Sequence, residues 1–503
     1  MKEILAAILE AVDGPILVYF LLINTSYLGL ILLAAAEFVH HLRRVEHSGR
    51  TQTVSSRLAQ GVTLIVPAYN EEAGIVTTVQ SLLSLRYPRH EVVVVDDGST
   101  DETFQRLRDR FDLVPIAQEI PQEVPVRVPV RDVHVPADGR TRLTVVRKPN
   151  SGKTDTVNTG LNAASEPLIA IVDADCILDP DALIAVAAPF AEDPVRTVAT
   201  GGVVRPANSC RVVDGRVIEA RMPSSWMARM QVVEYLRAFL LGRSGWSRLR
   251  CLILISGAFG MFRRDVLVEV GGLDPDSIGE DFELVMRMHR HMRRQRRDYR
   301  VEFVAEPIAW TEVPTTTAQL RSQRMRWHRG LWEVLWKYRG MTFNPRYGRI
   351  GLVALPWFWV FELFAPLLEL FGGLLVLLSL AMGLVDGHFA ILYVLLAYGY
   401  AFFVNVASLT IEEFSFHKYP RWGDLGLAVL ASLLENFGFR QATTLWRVEG
   451  WWQGVRGRRQ VWGTMTRTGI DSRHTRRSPR APGRRPGRDT TSTGSPERRG
   501  RAA

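Results

Sequence analysis

Three short stretches of this chain hold side chains at spacings that suit transfer chemistry. Asp173-Ala174-Asp175 ends an apolar run. Two carboxylates flanking one small residue can turn toward a common hard cation such as magnesium or manganese, which takes its remaining ligands from water and substrate phosphates. The same pattern is also common in ordinary loops. Gly279-Glu280-Asp281 precedes a helical pattern over 282–291. Its acids favour a helix N-terminus, and a carboxylate set in a cleft there can accept the proton of an attacking hydroxyl, so Asp281 is the candidate base. Gln323-Arg324-Met325-Arg326-Trp327 lies in an amphipathic stretch, 319–339. The planar guanidinium of Arg326 suits a diphosphate, and the face of Trp327 suits a sugar. The stretch also reads as an interfacial helix, which would account for Trp332 and Trp336.

Two further groups stand beside these. Asp96 and Asp97 close the run EVVVVDD (91–97), where two acids repel unless water, a donor or a cation relieves them. The spacing from Ser99 to Glu102 predicts a capping box starting the next helix. Lys153 follows Asn150-Ser151-Gly152. A phosphate-binding P-loop is excluded because Arg147 stands where its first glycine belongs. A lysine at a helix N-terminus can nonetheless meet a phosphate or a base carbonyl.

The elements that must position these residues alternate. Apolar runs at 62–67, 91–97, 142–148 and 167–175 are separated by helical patterns near 71–85, 101–111, 153–164 and 180–190. That rhythm predicts a parallel α/β sheet covered on both faces, with Asp96, Asp97, Asp173 and Asp175 at the strand ends where ligands collect. The segment 112–138 carries five prolines among valines and isoleucines, which argues against a central strand or helix and for an extended insertion.

Composition splits the chain. Apolar stretches at 16–39, 351–385, 389–411 and 425–437 flank a mixed region, 40–349. Spanning a bilayer takes ~20 apolar residues, so the reading is an integral membrane protein with an uncleaved N-terminal anchor. Arg43, Arg44 and Arg50 after that anchor put the globular part on the cytoplasmic side. Prolines and glycines divide 352–385 into an interfacial piece to about Phe361 and a crossing from 363 to 385. The helix over 425–452 is read as lying in the plane or partly inserted. Glu362, Glu369 and Glu435 are either channel-lining or paired between helices. Cys176, Cys210 and Cys251 are too scattered for a disulfide framework or a zinc site. Of the net charge of +10, residues 473–503 carry ten Arg against two acids, a balance of +8. That tail is read as disordered, attracted to anionic lipid rather than nucleic acid. The expected organisation is an anchor (1–45), a cytoplasmic domain (55–315), an interfacial helix (316–345), a C-terminal membrane region (350–455) and a basic tail (470–503).

PAYNEE (67–72), VDDGSTD (95–101), NSGKTDTVNTGL (150–161), DADCILDPDAL (173–183), SGAFGMFRRD (256–265), GGLDPDSIGEDFELVMRMHR (271–290) and QRMRW (323–327) together resemble the ordered motifs of family 2 inverting glycosyltransferases. With QRMRW and flanking apolar segments the resemblance extends to the processive membrane branch, the cellulose, hyaluronan and chitin synthases and above all the bacterial poly-N-acetylglucosamine synthases. It implies a Rossmann-like mixed sheet of the GT-A nucleotide-diphospho-sugar transferase type, with transmembrane and interfacial helices. It further implies a UDP-sugar donor, a polysaccharide acceptor, Mg2+ or Mn2+, a multi-pass place in a bacterial inner membrane, and a small membrane accessory subunit or export partner. On this chain Asp97, with Asp96, and Lys153 would hold the nucleotide; Asp175 would ligate the metal with Asp173 beside the sugar and diphosphate; Asp281 would be the base. Arg326 would grip the diphosphate, while Gln323, Trp327 and Glu280 border the acceptor. Gly279 departs from the usual Thr. Two other functions fit parts of the pattern: a transferase loading polyprenyl phosphate, and an inactive nucleotide-sensing scaffold of a secretion complex.

Overall fold

The computed structural model describes residues 59–213, 215–384 and 421–457, with 21–37, 402–410 and the single positions 15, 18, 19, 388, 391, 399, 400 and 413. The basic residues after the anchor, the basic tail and most of 389–411 lie outside them.

Runs of Val and Ile make the centre of the fold. Strands β1 (Val62–Ala68), β2 (His90–Asp97), β3 (Leu113–Ile116), β4 (Asp132–Pro136), β5 (Leu143–Lys148), β6 (Leu168–Val172), β7 (Ile177–Leu178), β8 (Thr197–Pro206), β11 (Phe259–Arg263) and β12 (Arg300–Thr311) form one sheet, ordered β3-β4-β5-β2-β1-β6-β11-β8-β12-β7. Between β8 and β11, β9 (Arg211–Val213) and β10 (Arg216–Glu219) form a separate hairpin. The β5-β2-β1-β6 block is parallel, as its uninterrupted apolar runs require. Beyond it β11 runs antiparallel to β6 and β8, so the sheet is mixed. β1 sends its first crossover to β2 on one side, while β6 pairs on its other side. The crevice therefore opens at the carboxyl ends of β1, β2 and β6. The helix Lys153–Ala163 sits close to β1 because Gly160 faces Ile65, whose Cγ2 would be 2.4 Å from any added Cβ.

Two expectations change. Helix Thr103–Phe111 begins after Glu102, whose side chain makes no cap bond; instead Asp101 accepts the Thr103 N–H at 3.0 Å and Ser99 Oγ accepts from Asn70 N at 3.1 Å. Ser99 serves the neighbouring loop, so there is no capping box. The proline-rich insertion is extended as expected, yet it also adds β3 and β4 to the sheet edge, where prolines cost little.

The C-terminal helices pack onto the domain. Ile350–Ala381 is one bent helical run with π-helical turns at Ile350–Ala354 and Phe358–Leu363. Among the described residues it is the helix long and apolar enough to cross a membrane. Trp422–Leu434 and Arg440–Val455 meet at a kink where Gly438 has φ 86°. The second of these lies on helix Thr317–Lys337 with Gly450 against the Met325 carbonyl. Glu362 pairs with Arg447 (2.8 Å), Glu369 with Arg440 (2.6 Å) and Glu435 with Arg237 (2.8 Å). All three acids also line the central cleft, so they pair and face the cavity at once.

Candidate active site

The loop after β5 is held by a buried ion network. At the end of β2, Asp97 accepts N–H bonds from Ser151 (3.0 Å) and Gly152 (2.9 Å) and pairs with Lys148 Nζ (3.0 Å). Lys148 also pairs with fully buried Asp155 (3.0 Å) and touches the Ser151 hydroxyl. Gly152 adopts φ 93°, a conformation glycine takes without strain, to turn the loop into the following helix. Asp96 accepts from Ser99 N (3.1 Å) and lies 3.8 Å from Arg147 Nε. The repulsion between the two acids is thus relieved by donors and cations of the chain. Lys148 and Asp155 escaped the sequence reading; the available signal was a lysine closing an apolar strand immediately before Asn150–Lys153.

Lys153 joins three motifs. Its Nζ is 2.7 Å from Asp173 Oδ1, at the end of β6, and 3.3 Å from Glu280 Oε1. Burial disfavours its charge, but Asp173 and Glu280 outweigh that and raise its pKa above the usual lysine range. Helix Glu280–Arg294 starts at the same point. Asp281 Oδ2 accepts the Gly257 N–H (2.9 Å) and Oδ1 accepts the Phe282 N–H (2.8 Å). Burial, and then the charge of Glu280, push its carboxyl up to about 6 against the opposing pull of the Phe282 N–H, Lys153 and Arg243.

Helix Thr317–Lys337 brings the third motif across. Gly279 and Gly330 face each other so closely that a Cβ on Gly330 would meet the Gly279 backbone at 3.2 Å. Gly330 therefore lets this helix approach, while a Cβ at Gly279 would meet Gly330 at 3.4 Å, an ordinary contact. Gln323 is 8% exposed and its Oε1 has no hydrogen-bond partner among the described residues. Trp327 is 45% exposed, with the Arg324 guanidinium 4.6 Å from its ring centre; Arg324 itself pairs with Glu234 at 2.7 Å.

A single cleft of about 1940 Å³ is lined by Asp97, Lys153, Asp173, Asp175, Glu280, Asp281, Gln323, Arg326 and Trp327. Asp96 does not line it. Among the described residues no three His, Cys, Asp or Glu side chains are grouped to hold a metal. Asp173 and Asp175 offer hard oxygen donors to one end of the cleft, a set that fits a divalent ion completing its shell with phosphate and water.

Comparison with known proteins identifies a family. Residues 59–330, which are 272 of the 503, match the family described as Glycosyltransferase like family 2. The chain is 25% identical over 319 residues to the poly-beta-1,6-N-acetyl-D-glucosamine synthase of Staphylococcus aureus (strain COL), covering 63% of this chain and 66% of that protein. It therefore spans just under two thirds of that relative's length. Against the enzyme of the same name from Staphylococcus epidermidis (strain ATCC 35984) it is 25% identical over 383 residues, covering 74% and 79%. Among solved structures, the mannosyltransferase PcManGT from Pyrobaculum calidifontis with GDP-Man and Mn2+ aligns at TM-score 0.46 and 19% identity, over 82% of this chain and 99% of that one. Residues 1–349 of S. aureus TarS with UDP-GlcNAc align at TM-score 0.37 and 16% identity, over 75% and 92%. With its mixed GT-A sheet and a family match over more than half its length, the chain belongs to glycosyltransferase family 2 and is a glycosyltransferase.

Proposed function

We propose that this glycosyltransferase is an inverting, membrane-bound enzyme that moves N-acetylglucosamine from a UDP-sugar to the end of a growing β-linked polysaccharide. One observation carries the reading: the cleft that holds the acids and the Gln323–Trp327 motif is continuous with the space between Glu362, Glu369, Arg440 and Arg447 of the C-terminal helices. A site that transfers one sugar to a small acceptor has no use for such an extension, whereas an elongating chain needs an exit. The choice of sugar is supported by the names of the 25% identical relatives. The helix Ile350–Ala381 supports membrane attachment.

In the reaction, the acceptor hydroxyl gives its proton to Asp281 as its oxygen attacks the anomeric carbon. The bond from that carbon to UDP breaks, and the electron pair leaves with the diphosphate. Gly257 N–H and Phe282 N–H hold the Asp281 carboxylate in place. Arg326 faces the diphosphate with a fixed positive charge. Asp173 and Asp175 would hold magnesium or manganese, which when bound neutralises the charge that develops on the leaving diphosphate. One displacement inverts the anomeric centre, so an α-linked donor yields a β-linked product. Asp97 acts through the loop it clasps, which sets the position of Lys153. Gln323, with its unpartnered Oε1, and the open face of Trp327 supply a polar and a stacking contact for the acceptor.

The test is to incubate membranes containing the protein with a panel of UDP-sugars and manganese, and to size the product before and after a β-N-acetylglucosaminidase. Long, enzyme-sensitive product from UDP-N-acetylglucosamine is expected. A glycolipid of one sugar, or no UDP release with any donor, would contradict the proposal.

A further inference from the structure

The helix Trp226–Tyr235 continues into a π-helical stretch, Leu236–Arg243. Such turns are uncommon and cluster at functional sites. Its last residue, Arg243, lines the same cleft as Gly257 and Asp281. The guanidinium carbon lies 3.8 Å from the centre of the Phe239 ring, and Nη1 is shut off from solvent with no hydrogen-bond partner among the described residues. Other cations of the cleft are matched by acids: Lys153 by Asp173, Arg237 by Glu435, Arg324 by Glu234, Arg440 by Glu369 and Arg447 by Glu362. Arg243 makes no ion pair among the described residues.

A guanidinium withdrawn from water without an acid is costly, and here the cost is met beside the reacting carboxylate. Arg243 and Asp281 are near enough for each charge to act on the other's ionisation. Asp281 takes backbone N–H groups on both oxygens and makes no hydrogen bond to Arg243 among the described residues, so the donors of Arg243 remain for something that enters the cleft. Trp246, three residues on, lines the cleft as well and packs against Trp357 and Phe358 of the C-terminal helical run. Arg243 thus belongs to the segment that joins the cleft to the C-terminal helical run.

We propose that Arg243 binds the acceptor: it donates hydrogen bonds to an oxygen substituent of the terminal acceptor sugar, beside the hydroxyl that Asp281 deprotonates. This rests on the reading of the enzyme as a saccharide-elongating transferase. The ligand chemistry is that of a neutral or anionic oxygen acceptor held flat against an aromatic wall, which a ring hydroxyl or an N-acyl carbonyl supplies equally.

The experiment compares wild type with Arg243→Gln and Arg243→Lys in nanodiscs. UDP binding is measured by calorimetry, UDP release to water without acceptor, and transfer from UDP-N-acetylglucosamine to β-linked N-acetylglucosamine oligosaccharides. For Arg243→Gln, UDP binding stays within about twofold, while the oligosaccharide concentration giving half-maximal transfer rises about tenfold or more, beyond any change in UDP release to water, the usual effect of losing a hydrogen bond from a charged donor. Arg243→Lys recovers part of it. Unchanged oligosaccharide dependence overturns the proposal, and so does a loss confined to UDP binding, which moves Arg243 to the donor side. Should Arg243→Gln fail to fold, Phe239→Leu removes the ring beneath the guanidinium; it raises the same acceptor constant if the proposal holds and leaves it unchanged if not. A wild type that elongates no saccharide while glycosylating a lipid overturns the underlying reading instead.

Discussion

A carboxylate that takes a proton from a hydroxyl works best with its own pKa near the working pH, and burial together with Glu280 carries Asp281 up to about 6. Protonation would disable the proposed base, so transfer is expected to fall as pH drops below about 6. Because Glu280 raises the Asp281 pKa, Glu280→Gln moves that acid limb to lower pH, as a pH–rate profile would show; an unmoved or raised limb would count against the assignment. Asp281→Asn is expected to lower transfer by at least ~100-fold, the scale of general-base catalysis, with UDP binding retained. A folded-state pKa raised above the unfolded value stabilises the protonated form at low pH and loses that contribution as pH rises through about 6. Asp281→Asn cannot titrate, so the stability that wild type loses as pH rises through about 6 should be missing from the variant's pH profile of thermal unfolding. Asp281 was legible from sequence as an acid at a helix start, because one-dimensional spacing defines that position. The relief of Asp96 and Asp97 by Lys148, Ser151 and Arg147 was not, since it depends on β5 lying beside β2.

Elements hold these residues through a few close contacts. Lys148 is 2% exposed and serves both Asp97 and Asp155. Removing one partner of a buried charge cluster commonly costs about 3–5 kcal/mol, so Lys148→Met should lower chemical-denaturation stability on that scale and weaken UDP binding. Stability within about 1 kcal/mol of wild type would show that the network does not hold the loop. The proline-rich insertion reinforces the same loop: Arg127 N–H reaches Asp155 Oδ1 at 2.6 Å, Asn162 exchanges bonds with Val124, and Arg127 pairs with Asp276 at 2.6 Å. Its prolines announced an extended path, but the buried Asn162 that receives Val124 lies 38 residues on and carries no local signal. The absent capping box failed for a related reason, because Ser99 finds a tertiary partner in Asn70. At the helix pair, a Cβ at Gly450 would sit 2.4 Å from the Met325 carbonyl. Gly450→Leu should separate Arg440–Val455 from Thr317–Lys337, lowering both the melting temperature and transfer; full activity would show that this docking is dispensable.

At the scale of the whole molecule, one cleft runs from the ends of β2 and β6 to the C-terminal helices, and every motif of the opening reading meets it except Asp96. The sheet was legible because its strands are buried on both faces and so read as continuous apolar runs. The part beyond β6, where β11 runs antiparallel to β6 and β8, was not, since β8, β11 and β12 carry Gly or polar residues among their apolar ones. Apolar length announced the helix Ile350–Ala381, long and apolar enough to cross a membrane, whereas the Arg–Glu pairs that join the C-terminal helices across long sequence gaps appear only in three dimensions. The central claim is that Asp281 drives transfer of a sugar from UDP onto a saccharide that leaves through this cleft. The most direct measurement supplies purified protein in nanodiscs with radiolabelled UDP-N-acetylglucosamine and manganese and resolves the product by size, for wild type and Asp281→Asn side by side. The account predicts long, β-glycosidase-sensitive chains from wild type and none from the variant. Equal products from both, or a single labelled sugar on lipid, would contradict it.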